Sequence, residues 1–167
     1  MDSIRIFGYK SFKKLSVQLH PINILIGANG AGKSNFLSLF EMLGNIYEKR
    51  LGAYVAQVGG VDKLLYQGRK VTDRIAVSLL IAKSEYDLVL LESDGKLIVE
   101  REVVGCYDDV CPLDLVRKNV ITEFQSESSL KDHKEEDLSN YISQIRKFHF
   151  HDTGRRSPFT ADSHIVN

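Results

Sequence analysis

The chain has 167 residues, with 22 basic and 22 acidic side chains and so no formal net charge at neutral pH. That length can bury one substantial core, and the balanced charge excludes a globally basic nucleic-acid binder. Hydrophobic residues at 43% and charged residues at 26% are ordinary for a globular domain, and two cysteines, Cys106 and Cys111, are too few for a disulfide framework. No apolar run approaches the ~18 residues of a membrane span. Met1-Asp2-Ser3-Ile4-Arg5 lacks the layout of a secretory leader, so a cytoplasmic location is the default expectation. Charge is unevenly spread: residues 1–52 hold seven Lys/Arg against three Asp/Glu, and residues 104–140 hold four against nine. The basic first third leaves a DNA-facing patch open as an expectation, on charge alone.

In chain order, residues 2–8 and 14–20 read as two strands joined by a turn carrying Lys10, Ser11 and Lys13. Pro21 starts a new segment. The β-branched run Ile22-Asn23-Ile24-Leu25-Ile26 reads as a buried strand. Behind it stands Gly27-Ala28-Asn29-Gly30-Ala31-Gly32-Lys33-Ser34, a full G-x-x-x-x-G-K-[ST] phosphate-loop pattern. Phe36, Leu37, Phe40, Leu43 and Tyr47 then recur at helical spacing, predicting a helix from about Lys33 to Tyr47.

Phosphate chemistry needs these residue types. Gly27, Gly30 and Gly32 permit backbone angles and close approach that a side chain would block. Consecutive N–H groups from Gly27 through Ser34, those of Ala28, Asn29 and Ala31 included, can then point inward and cradle phosphate oxygens. The following helix adds its positive N-terminal end. Lys33 brings a point charge for the β and γ phosphates, and Ser34 a hydroxyl ligand for Mg²⁺.

After the helix, Gly52 and Gly59-Gly60 punctuate the chain. Residues 73–82 alternate, with Ile75, Val77, Leu79 and Ile81 on one face. Residues 86–92 and 96–103 follow, separated by Ser93-Asp94-Gly95, a strong hairpin signal, so residues 73–103 predict an antiparallel meander. Leu88-Val89-Leu90-Leu91-Glu92 imitates a Walker B strand, but Leu91 stands where the metal-ordering Asp should be, and the hairpin argues for a half-buried strand with a solvated Glu92. Residues 104–134 predict an acidic loop or small insertion with a short helix near 112–124. Residues 135–147 predict a helix, with Leu138, Tyr141, Ile142 and Ile145 on one face. Lys147 to Thr153 reads as a strand and loop, and 154–167 as an irregular tail. Cys106, Cys111, His149 and His151 can be drawn as a zinc site, but their spacing fits no zinc motif; free thiols and structural histidines are the expectation.

The stretch from Ile4 to Leu37, with Gly8-Tyr9-Lys10-Ser11-Phe12 ahead of the loop and Asn35 after Ser34, resembles the N-terminal segment of RecF/SMC-type ATPases. Gly59 to Gly68 and Phe148 to Thr153 look like segments of a bacterial "AAA family ATPase" subgroup of that branch. The resemblance implies an α/β fold: a P-loop NTPase core of ABC/RecF/SMC type with an antiparallel β-subdomain, here the single N-terminal lobe of an ATPase head over 1–167. It implies ATP and Mg²⁺ as cofactors and adds Asn35, and more weakly Lys10 and Ser11, to the nucleotide-binding residues. It also places Gln57 where a Q-loop glutamine would touch Mg²⁺ or the attacking water; a polar loop residue is the plainer reading. Walker B, signature, D-loop and switch motifs are not found in this sequence, so a fragment, a truncated gene product or an incomplete core is expected. A homodimer through the head follows from the same resemblance.

Three functions compete at this stage. The first is ATP binding as the Walker A half of such an ATPase. The second is a non-hydrolysing, nucleotide-gated interaction module. The third is a small P-loop kinase, for which Arg155 and Arg156 are the only paired arginines and against which the meander argues.

Overall fold

The computed structural model of the chain describes residues 1–82, 84–106, 117–133 and 136–145. Strands β1 (Ser3–Tyr9) and β2 (Phe12–Gln18) form a tight hairpin, and β3 (Arg74–Ile81) pairs along the other edge of β1. Strands β4 (Ser84–Ser93), β5 (Lys96–Cys106) and β6 (Arg117–Gln125) extend the sheet in the order β2-β1-β3-β4-β5-β6, every pairing antiparallel. The β4–β5 turn has Asp94 at φ 51° and Gly95 at φ 77°, the left-handed pair whose twist suits a two-residue hairpin.

Period-two alternation sends one side of each strand inward. Ile4 and Ile6, Ile75, Val77 and Leu79, Tyr86, Leu88 and Leu90, and Leu97 and Val99 are all buried. Helix α1 (Lys33–Tyr47) lays Phe36, Leu39, Met42, Leu43 and Ile46 into this core at helical spacing. Two further helices, α2 (Leu51–Gln57) and α3 (Glu136–Ser143), close it with Leu51, Tyr54 and Val55, and with Leu138 and Ile142. A 3-10 turn, Val61–Lys63, leads back toward the β1–β2 hairpin, where Leu65 bridges to Tyr9.

The expected strand over Ile22–Ile26 is not formed. Ile22, Ile24 and Ile26 are 82%, 80% and 91% exposed, and none of the described strands pairs with this run. A β-branched segment becomes a strand only where a neighbour takes up its N–H and C=O groups. The six described strands pair only with one another and every pairing is antiparallel, with Ile22–Ile26 at neither outer edge, so the P-loop NTPase core expected around the loop is not among the described residues. The sheet is instead larger than the predicted meander, because the N-terminal hairpin joins it through β1–β3.

Three smaller expectations also change. Residues 51–57, read as punctuated by Gly52, form α2, because burying Leu51, Tyr54 and Val55 on one stripe outweighs the ~1 kcal/mol cost of a helical glycine. Where a loop or short helix was expected, residues 117–125 form an edge strand: β5 supplies the hydrogen-bonding partner, with a register shift beside Glu102 and Val103. The helix expected over 135–147 runs from Glu136 to Ser143, and Tyr141 is exposed. The expectations for Cys111, His149, His151, Asp152, Arg155 and Arg156, and for the strand and tail from Lys147 on, lie outside the described residues.

Candidate nucleotide-binding site

The loop from Gly27 to Gly32 enters α1 directly. Gly32 is the helix N-cap at φ 93°, and Gly30 stands at φ 85°, both in the left-handed region that favours glycine. Gly27 needs no such angle; a Cβ there would sit 3.3 Å from that of Ala31. The N–H of Ala31 closes a turn on Ala28 O at 3.2 Å, and that of Phe36 reaches back to Gly32 O at 2.9 Å. Between them, the N–H groups of Gly32, Lys33 and Ser34 donate to no described acceptor, as the first donors of a helix do. They lie at the positive end of α1, next to the exposed residues 27–31.

Lys33 curls over this loop. Its ammonium donates to Gly27 O at 2.6 Å and Ala28 O at 2.7 Å, which holds the charge on the loop. Ser34 is exposed, on the first turn beside it.

The β1–β2 turn is seated on the loop. A Cβ on Gly32 would lie 3.0 Å from Ser11 Oγ and 3.2 Å from Phe12 Cζ, so only glycine leaves room for this approach. Asn35 Nδ2 donates to Ser11 Oγ at 3.0 Å. Lys10, itself at φ 48°, donates from Nζ to Ser38 Oγ at 2.8 Å and stands 5.4 Å from the centre of the Tyr9 ring. The structure thus brings Lys10, Ser11 and Asn35 together beside Gly32. It does not bring in Gln57, which is exposed on the last turn of α2 and hydrogen-bonds to none of the loop residues. Glu92 is likewise occupied elsewhere: its Oε1 accepts the Gly95 N–H at 2.8 Å inside the β4–β5 hairpin.

The residues that sequence reasoning passed over lie behind the turn. Ser38 is buried one helical turn beyond Ser34. Its hydroxyl donates to Asn35 O at 2.8 Å and meets the Tyr9 hydroxyl at 2.9 Å, while Tyr54 donates to Ser38 O at 3.3 Å. Burial drives the Tyr9 phenol well above the ordinary tyrosine range, the Ser38 bond offsetting part of that, and burial raises Tyr54 likewise. A serine amid the apolar stripe of α1, four positions after Ser34, was the available signal. A cleft of about 720 Å³ opens next to Asn35 and Lys10, and is otherwise lined by the segment from Asp62 to Lys70, with Lys63, Arg69 and Lys70 contributing three more cations. Arg69 pairs with Asp62 at 3.5 Å.

Ser34 brings a hydroxyl oxygen suited to Mg²⁺, and no group of three His, Cys, Asp or Glu side chains that could hold a metal ion occurs among the described residues. No described helix is long and apolar enough to cross a membrane.

A glycine loop capping a helix that packs on a six-stranded sheet, with the G-x-x-x-x-G-K-[ST] sequence in that loop, describes a mixed α/β protein. Its sequence matches the family model described as an AAA ATPase domain over residues 1–152, and the chain belongs to that family. Membership carries nucleotide binding with it. No curated protein matches the chain.

Proposed function

We propose that the chain binds ATP, with Mg²⁺, as the Walker A half of a RecF/SMC-like ATPase. The observation that carries this reading is the loop itself: the N–H groups of Gly32, Lys33 and Ser34 have no described acceptor, and the Lys33 ammonium lies on the same loop at Gly27 O and Ala28 O. A phosphate chain offers oxygen acceptors to all of them, and the helix terminus favours its charge. The carbonyls of Gly27 and Ala28 would cede Lys33 to the stronger charge-assisted bond. Ser34 would hold Mg²⁺ together with phosphate oxygens and water, and the ion when bound neutralises phosphate charge. Asn35, Ser11 and Lys10 border the cradle on the side of the cleft, where the remainder of the nucleotide would lie.

Hydrolysis needs more than this. Phosphoryl transfer calls for a positioned water and donors stronger in the transition state than in the ground state. Among the described residues no carboxylate contacts Ser34 or the loop, and Gln57 stands apart from them. In this reading a C-terminal half of the core and a second head, in a homodimer, complete the site, in a cytoplasmic setting where DNA is a possible partner. That same lack of an adjacent acid favours, as the second reading, a module that binds nucleotide without cleaving it.

Calorimetric titration with MgATP tests the proposal. Lys33→Ala removes a charged hydrogen-bond donor worth about 1.5–3 kcal/mol, so affinity falls at least tenfold. Equal affinity in the two proteins overturns it. Sustained Mg²⁺-dependent turnover by the pure chain, lost in Lys33→Ala, would overturn the division of labour.

A further inference from the structure

Lys10 is held more firmly than a surface lysine has reason to be. Its backbone stands at φ 48°, in the two-residue turn that joins Tyr9 to Phe12. The Lys10 N–H is tied to Leu64 O at 2.8 Å, beside the Tyr9–Leu65 bridge. At the other end its ammonium is tied to Ser38 Oγ and lies over the Tyr9 ring.

The bonding around Ser38 has one consistent arrangement. A serine hydroxyl donates once and accepts twice. The Asn35 carbonyl can only accept and the Lys10 ammonium can only donate, so the Ser38 proton goes to Asn35 O. The Tyr9 hydroxyl must then donate to Ser38, and the full capacity of Oγ is used. Tyr54 pins the same residue through its carbonyl. Burial keeps both phenols protonated, so this arrangement persists across ordinary pH.

We propose that Ser38, backed by Tyr9 and Tyr54, is a positioning residue that presets the ammonium of Lys10, which lines the cleft together with Asn35, as a cation for the nucleotide's phosphates. This rests on the ATP-binding reading above. A lysine free to rotate would lose side-chain freedom on meeting a phosphate; one already held by Ser38 does not. Asn35, whose carbonyl takes the Ser38 proton and whose amide holds Ser11, couples the same serine to the turn and to the loop.

The test is a double-mutant cycle on MgATP affinity, run with Lys33→Ala in parallel. Ser38→Cys keeps the volume but replaces the oxygen by a weak acceptor; Ser38→Ala removes it. Each should weaken MgATP by about three- to tenfold, Lys10→Met by as much or more, and Ser38→Cys with Lys10→Met no further than Lys10→Met alone. The slope of log affinity against log salt should fall in Lys10→Met, and in Ser38→Cys if the ammonium has left its place; a purely structural role would not move it. Should Ser38→Ala fail to fold, Ser38→Cys decides. Wild-type affinity and salt slope in Ser38→Cys, or losses that add in the double variant, overturn the positioning role while a Lys33→Ala loss leaves the ATP reading standing. If Lys33→Ala also binds MgATP like the wild type, the ATP reading fails and the positioning role fails with it.

Discussion

Glu102 is the most consequential buried charge in the described sheet, and removing it is the sharpest test of how the fold is held. The side chain is 0% exposed. Its Oε1 accepts from Tyr86 Oη at 2.6 Å and Ser128 Oγ at 2.6 Å; its Oε2 accepts from Thr122 Oγ1 at 2.7 Å and the Ser129 N–H at 3.0 Å. Four donors from β4, β6 and the following segment therefore converge on one carboxylate of β5. Bonds to a charged acceptor contribute about 1.5–3 kcal/mol each, so the gross stabilisation is on the order of 6–12 kcal/mol. Against this stands a desolvation cost of several kcal/mol for one buried ion, leaving a smaller net. Glu102→Ala does not recover that difference cleanly, because it strands buried hydroxyls and an N–H. The expected loss is about 3–5 kcal/mol, the range for breaking a buried charged cluster from one side, and a large share of the ~5–15 kcal/mol of a whole domain. Glu102→Gln should lose less, since the amide keeps one acceptor oxygen but turns a donor toward the Ser129 N–H. Urea denaturation followed by circular dichroism measures both. A Glu102→Ala midpoint equivalent to less than about 1 kcal/mol of destabilisation would refute the cluster as a fastener.

Three other outcomes follow from single positions. Gly8 stands at φ 72° in β1, and a Cβ there would fall 2.2 Å from Arg74 O, so Gly8→Ala should part β1 from β3 and cost more than about 3 kcal/mol or prevent folding; a near-native melting curve would contradict this. Ile24→Asn should leave stability within about 0.5 kcal/mol of wild type, because the side chain is 80% exposed; a loss above about 2 kcal/mol would return residues 22–26 to a buried strand. Tyr9, Tyr54 and Tyr86 are raised by burial, Tyr86 further by Glu102, so the folded state favours neutral phenols. Their contribution is full below the ordinary tyrosine value of about 10 and is lost above it, as the unfolded chain ionises first, by up to about 1.4 kcal/mol per pH unit for each. Denaturation between pH 9 and pH 11 should therefore show a shallower decline in Tyr86→Phe than in wild type, and parallel declines would count against it.

The elements that were legible in the sequence are those whose signal is local. The phosphate-loop spacing and the apolar stripe behind it place α1 from Lys33 to Tyr47. Alternation and Asp94-Gly95 place β3, β4 and β5, since a two-residue turn and a period of two need no distant partner to be recognised. Ile22–Ile26 carries an equally strong local signal and is no strand, because strand formation is a property of a pair of segments and composition reports on only one of them. For the same reason β6 was hidden: its residues alternate weakly, and only the edge of β5 makes them a strand. The loop chemistry of Gly27 to Ser34 could be read directly, but what surrounds it could not. Ser11 reaches Gly32, Lys10 reaches Ser38 and the four donors reach Glu102 across separations of 16 to 28 residues, set by how the hairpin, α1 and the sheet pack. Side-chain hydrogen bonds of that kind depend on distances that only the assembled core creates. The sequence by itself therefore determined the glycine-lysine-serine loop and the helix behind it, whereas tertiary packing decided which residues stand around that loop.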